Sequence, residues 1–137
     1  MPAEQTSSLG AWVDDLLNVV FFQPDDELSS KAIVENFSPS LKVRINGVPI
    51  SFEEYKKSIA VARSKDHILN QSNRELLSSC VSDADDSEGS VAHLGHFILK
   101  DKQSGEERAE ASVTLATVKL VDGQRVLSEL TEVYRSA

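Results

Sequence analysis

The chain has 137 residues, a size that suits one domain and leaves little room for two. Its 40% hydrophobic and 26% charged residues supply one core and a solvated surface, and a single cysteine, Cys80, excludes an internal disulfide. With 14 basic against 22 acidic side chains the net charge is −8, which argues against a nucleic-acid partner, because phosphate binding needs a basic face.

The start, MPAEQTSS, is polar, and its first six residues are expected to be flexible. It lacks a basic region followed by an apolar one, and no apolar run reaches the roughly 20 residues that cross a bilayer. A cytoplasmic protein with no membrane partner is the expectation. Leu9, Trp12, Val13, Leu16, Leu17, Val20 and Phe21 recur at helical spacing, with Ser7 or Ser8 as cap. Gln23-Pro24 stops this helix, and Pro24 can open a second as its first residue, followed by Asp25, Asp26 and Glu27 at the positive end of the dipole. Leu28, Ala32 and Ile33 give the second helix its stripe. Leu41, Val43 and Ile45 then alternate with polar residues as a strand does. Asn46-Gly47 is a two-residue hairpin turn, and Pro49 keeps the return strand at an edge.

Ser51 and Glu54 form a capping box for a third helix with Phe52, Tyr55, Ile59 and Ala62 on its apolar stripe. Lys56, Lys57 and Arg63 are expected off that stripe. Residues 67–82 read as one long extended segment and 83–89, DADDSEG, as a solvated acidic loop. Residues 90–100, 107–121 and 125–135 are three further strands, turning at 102–105 and at Asp122-Gly123. The pattern is α+β: three N-terminal helices on one face of a curved antiparallel sheet, as a single domain over 1–137.

The opening helix SLGAWVDDLLNVVF, the unit LKVRINGVPISFEEYKKSI and the closing hairpin ASVTLATVKLVDGQRVLSELTEVY resemble the nuclear-transport-factor-two-like superfamily, in particular its small SnoaL-type, polyketide-cyclase-like members. The resemblance spans nearly the whole chain and rests on element order. It implies a cone-shaped fold, a pocket between helices and sheet, and a homodimer formed through the sheet. Isomerases, dehydratases, cyclases and non-enzymes share the fold, so it does not choose among them.

Hairpin register sorts the strand residues. A three-residue loop ending at Gly105 pairs Lys102 with Glu106 and sets His93 opposite Leu115 and Phe97 opposite Ala111. A two-residue loop at Asp122-Gly123 sets Leu115 opposite Leu130 and Val113 opposite Glu132. One face then carries Val91, His93, Phe97, Leu99, Ala111, Val113, Leu115, Leu130, Glu132 and Tyr134. It has the larger apolar side chains and is assigned to the pocket. The other, with Leu94, His96, Ile98, Glu110, Ser112, Thr114, Ala116, Val118, Glu129 and Thr131, is left for solvent or a dimer partner.

His93 with Glu132 is the acid–base candidate, since burial raises a carboxylate and a histidine titrates near neutrality. A slip of one residue in the last loop substitutes Glu129 for Glu132, and the fallback pair is His96 with Glu129. Trp12, Tyr55, Phe97 and Tyr134 are the candidate ligand contacts, the tyrosines through their hydroxyls. His93 and His96 point to opposite faces of a strand and cannot share a metal. The acidic loop lacks the glycine and glutamate of a calcium loop. No phosphate loop, nucleophile elbow or dinucleotide fingerprint is present, and no cofactor is implied. Two readings stay open: a cofactor-independent isomerase, dehydratase or cyclase acting on an apolar carbonyl compound, and a non-catalytic module that binds an apolar ligand or a protein.

Overall fold

Ser8 opens the first helix, α1 (Leu9–Leu17), by accepting a hydrogen bond from the Ala11 amide at 3.1 Å. The computed structural model describes residues 8–82 and 85–136, so the expectation for the first six residues lies outside the described residues. The helix does not run on as α to Phe21. It widens into a π-helical turn at Asn18–Phe22. The second helix, α2 (Asp26–Asn36), starts two residues after Pro24 rather than at it, and Asp25 is its cap, the carboxylate accepting from the amides of Glu27 and Leu28 at 2.9 and 3.3 Å. The capping box of α3 (Phe52–Lys65) forms as its sequence dictates, Ser51 and Glu54 bonding each other's backbone amides.

Strand β1 (Phe37–Ile45) begins earlier than its alternation suggests and includes Pro39. Pro39 falls within an irregular stretch of its pairing, where no ladder donor is needed. Asn46 and Gly47 take the positive φ angles of 49° and 84° that their turn requires, and β2 (Val48–Ile50) returns at the sheet edge. Strands β3 (Asp66–Ser82), β4 (Asp85–Asp101), β5 (Glu107–Val121) and β6 (Gln124–Ser136) form the meander. The acidic segment is therefore strand from Asp85 onward, and residues 83–84 lie outside the described residues.

The sheet order is β2-β1-β6-β5-β4-β3. It is mixed rather than wholly antiparallel, because β1 runs parallel to β6. The helices cover one face. Leu9, Val13 and Val20 meet Val91, Val118, Leu127 and Leu130 there, all at or below 2% exposure.

Two one-residue offsets correct the expected register. The first loop holds four residues, since the Gly105 amide donates to the Asp101 carbonyl and the Asp101 amide to Glu106, pairing Lys100 with Glu107. The second loop turns at Asp122-Gly123 as expected, but a bulge at Ser128 follows, so Val118 pairs with Leu127 and Thr117 with Glu129. Both offsets invert β5 and cancel between β4 and β6. Glu110, Ser112, Thr114, Ala116 and Val118 thus face the helices, while Ala111, Val113 and Leu115 face outward. His93 and Glu132 remain on one face, flanking Thr114 in the same row.

Arg63 also departs from expectation. It extends the buried stripe Tyr55, Ile59, Arg63 at steps of four. Its guanidinium donates to the carbonyls of Val20, Phe21 and Gln23 at 3.0, 3.4 and 2.8 Å and to Asp26 Oδ1 at 2.8 Å. Ser29 adds a bond to Val20 O and Gln23 one to Val19 O. The carbonyls left over where the first helix ends are thereby satisfied. Arg63→Met removes the donors to these carbonyls and is expected to lower stability by about 3 kcal/mol in urea unfolding. A loss under about 1 kcal/mol would show Ser29 and Gln23 to be sufficient.

Candidate functional site

A cavity of about 510 Å³ opens between the helices and the sheet. Its walls are mostly apolar: Leu17, Phe21 and Phe22 from the end of the first helix, Ile59 and Ala62 from α3, and Phe97 and Leu99 from β4. The π-helical turn brings Phe22 to within 6.0 Å of the Phe97 ring, centroid to centroid. Tyr55 is held by stacking on Phe37 at 6.3 Å. Asn46 anchors the far end of β6, its amide donating to the Glu132 carbonyl at 2.8 Å and its side-chain oxygen accepting from the Tyr134 amide at 2.9 Å.

Of the residues singled out in the sequence, His93, Glu132, Tyr55, Phe97 and Tyr134 all line this cavity. Trp12 does not. It lies half-buried against the core. His96 and Glu129 are exposed.

Several polar groups in or beside the cavity escaped the sequence reading. Asp14 shares a helical face with Leu17 and Phe21, and its Oδ1 lies 3.7 Å from Nε2 of the buried His93. Asn73 donates to that same oxygen. Glu75 pairs with His93 across β3 and β4, and its carboxylate fills the space that Gly10 leaves for want of a side chain. Nδ1 of His93 is buried and has no hydrogen-bond partner. Burial lowers the His93 pKa, with the charges of Asp14 and Glu75 opposing that shift. The ring is neutral at pH 7. The Asp14 carboxylate favours the proton on Nε2, which leaves the Nδ1 lone pair free.

The corrected register brings Glu110, Ser112 and Thr114 onto the cavity wall beside Glu132. Burial, and then the charge of Glu110, raise the Glu132 pKa to about 7. Burial, and then Glu132, raise the Tyr55 hydroxyl well above its usual range, so it is a donor throughout neutral pH. Arg108 and Asp66 form an ion pair at 3.2 Å on the same wall. Among the described residues no group of His, Cys, Asp and Glu is placed to hold a metal ion, and no helix is long and apolar enough to cross a membrane.

No protein-family model and no curated protein matches the sequence. Solved structures do match. A ketosteroid isomerase-like protein from Erwinia carotovora atroseptica superimposes with a TM-score of 0.70 at 11% identity, covering 100% of both chains. A putative scytalone dehydratase from Novosphingobium aromaticivorans gives 0.68 at 15% identity, over 91% of this chain and 81% of that one. A hexachlorocyclohexane dehydrochlorinase from Novosphingobium barchaimii gives 0.63 at 14% identity, over 93% and 82%. The chain shares the fold of these structures, helices packed on a curved sheet, which is the architecture that the sequence resemblance implied. At such identities the likeness is one of fold.

The raised Glu132 pKa has a thermodynamic consequence. The unfolded chain releases this proton at about 4.5 and the folded chain holds it to about 7, so Glu132 costs stability as pH rises through that window. The cost reaches roughly 3 kcal/mol above pH 7. Glu132→Gln is expected to raise the melting temperature more at pH 8 than at pH 4.5, as thermal unfolding at the two pH values will show.

Proposed function

We propose that the cavity is a small-molecule site for an apolar carbonyl compound and that it carries out cofactor-independent proton transfer of the isomerase, dehydratase or cyclase kind. The observation that carries this reading is His93: buried in the cavity wall, backed by Asp14 at 3.7 Å, with Nδ1 unpartnered. His93 removes a proton next to the carbonyl, and Asp14 stabilises the imidazolium that forms. Protonated Glu132, or the Tyr55 hydroxyl, donates to the carbonyl oxygen as it gains charge. His93 and Glu132 stand two strands apart across Thr114, about 10 Å between backbones, which leaves room for a substrate carbon between their side chains. The enol then takes back its proton at another carbon, or expels a neighbouring leaving group. The names of the isomerase-like and dehydratase neighbours support the same class of chemistry.

A test needs only an enolisable probe. In D2O the protein is expected to accelerate hydrogen–deuterium exchange at the carbon next to the carbonyl of 2-tetralone, followed by NMR. His93→Gln should lower that rate by a factor of about 100 or more, and Asp14→Asn should lower it too. The rate should fall below the His93 pKa and again above about 7, where Glu132 loses its proton, and Glu132→Gln should remove the upper limb. Binding of 2-tetralone with no exchange would leave the non-catalytic ligand-binding reading in its place.

We further propose a homodimer in the cytoplasm. The face expected to form it, with Ser112, Thr114 and Ala116, is turned to the helices by the register, so the outer face takes that role. It presents Leu115 and Val133, 50% and 58% exposed, beside Leu94, Ile98 and Val113. Light scattering at micromolar concentration should give twice the 15.0 kDa chain mass, and Leu115→Glu should restore the single chain.

A further inference from the structure

The end of the cavity away from His93 holds a second polar group with an unfilled bond. Asp66, the first residue of β3, is 4% exposed. Its Oδ2 accepts from Arg108 Nη2 at 3.2 Å, and its Oδ1 is buried with no hydrogen-bond partner. A carboxylate oxygen in that position is unfavourable unless a donor reaches it, and Asp66 is one of the residues that line the cavity. Arg108 is opposite Leu99, six residues along β4 from His93, or about 20 Å of strand. The two polar ends are therefore separate, with Phe97 between them.

Charge narrows what can dock there. Arg108 is the one Lys or Arg on the cavity wall among the described residues, and Asp66 already pairs with it. Glu110, two residues along β5 on the same face, adds a carboxylate with no ion-pair partner. A ligand carboxylate at this corner would meet Asp66 and Glu110 with no free cation to balance it. A hydroxyl or an amine would supply the hydrogen that Asp66 Oδ1 lacks.

We propose that the Asp66–Arg108 corner is the subsite for a hydrogen-bond donor of the ligand, a hydroxyl or amine, and that it rejects ligands ending in a carboxylate. This rests on the cavity being a small-molecule site.

Three probes that differ only in the head group test it: 2-naphthylmethanol, 2-naphthylmethylamine and 2-naphthoate, titrated calorimetrically into the full chain at pH 7.5. At least one of the two donors should bind ten-fold or more tightly than the carboxylate. Asp66→Asn, which removes the charge at constant shape, should narrow that gap to three-fold or less. Arg108→Met, which leaves Asp66 unpaired, should tighten the amine and weaken the carboxylate, and it keeps the test open if Asp66→Asn does not fold. Naphthoate binding as tightly as both donors, or a gap that neither variant moves, would overturn the subsite while leaving the cavity reading intact. Binding of none of the three at millimolar concentration would overturn both.

Discussion

The bonding of Arg63 to the carbonyls at the end of the first helix is the constraint on which the rest of the site depends. A π-helical turn leaves more backbone oxygens unpaired than an α-helical end, and here they lie indoors. One guanidinium from α3 satisfies three of them and reaches Asp26 at the start of α2. Three helical segments are thereby tied at a single point, and the aromatic rings of Phe21 and Phe22 are set against the sheet. Without this knot the wall they form would have no fixed position, and Phe22 would have no reason to meet Phe97.

The cavity combines an apolar lining with carboxyl groups drawn partly or wholly out of water. In such surroundings each carboxyl is sensitive to its neighbours. Glu132 retains its proton to about 7 because it is buried and, second, because Glu110 shares its wall, and the Tyr55 hydroxyl is raised by burial first and by Glu132 second. His93 responds in the opposite sense, neutral through burial and steadied by Asp14. Proton donors and a proton acceptor thus coexist in one chamber near neutral pH, a result of where the chain buries charge.

Most of the fold was legible because its signals are local. Ser51 and Glu54 announce a helix start, and Asn46-Gly47 and Asp122-Gly123 announce turns that few other residues adopt. His93 and Glu132 were placed on the cavity side by counting from those turns. The count succeeded although both steps were off by one, since the errors cancelled across β5. What local signals do not carry was missed. Arg63 looked solvated because charge outweighed its place on a stripe of four. Asp14 was not singled out, although its spacing from Leu17 and Phe21 put it on the cavity side. Asp66 sat at a helix end, where a polar residue attracts no notice. Trp12 was named as a ligand contact, and it packs against the core. The parallel pairing of β1 with β6 joins segments some ninety residues apart, and no turn records it.

Strand β5 is where the chain was least explicit, and its ambiguity has a use. Its two faces differ little in bulk, so period-two patterning does not choose between them. In the observed register it offers the chamber a carboxylate and two hydroxyls, from Glu110, Ser112 and Thr114. In the alternative register it would offer Ala111, Val113 and Leu115, a wholly alkyl lining. Passing from one to the other takes no substitution, only a slip of one residue that draws Lys102 into β4 and the bulged Ser128 into the ladder of β6. A lineage built on this scaffold can therefore exchange a wet reaction chamber for a greasy one by paired one-residue slips in register, with His93 and Glu132 still facing each other across the strand that turned over.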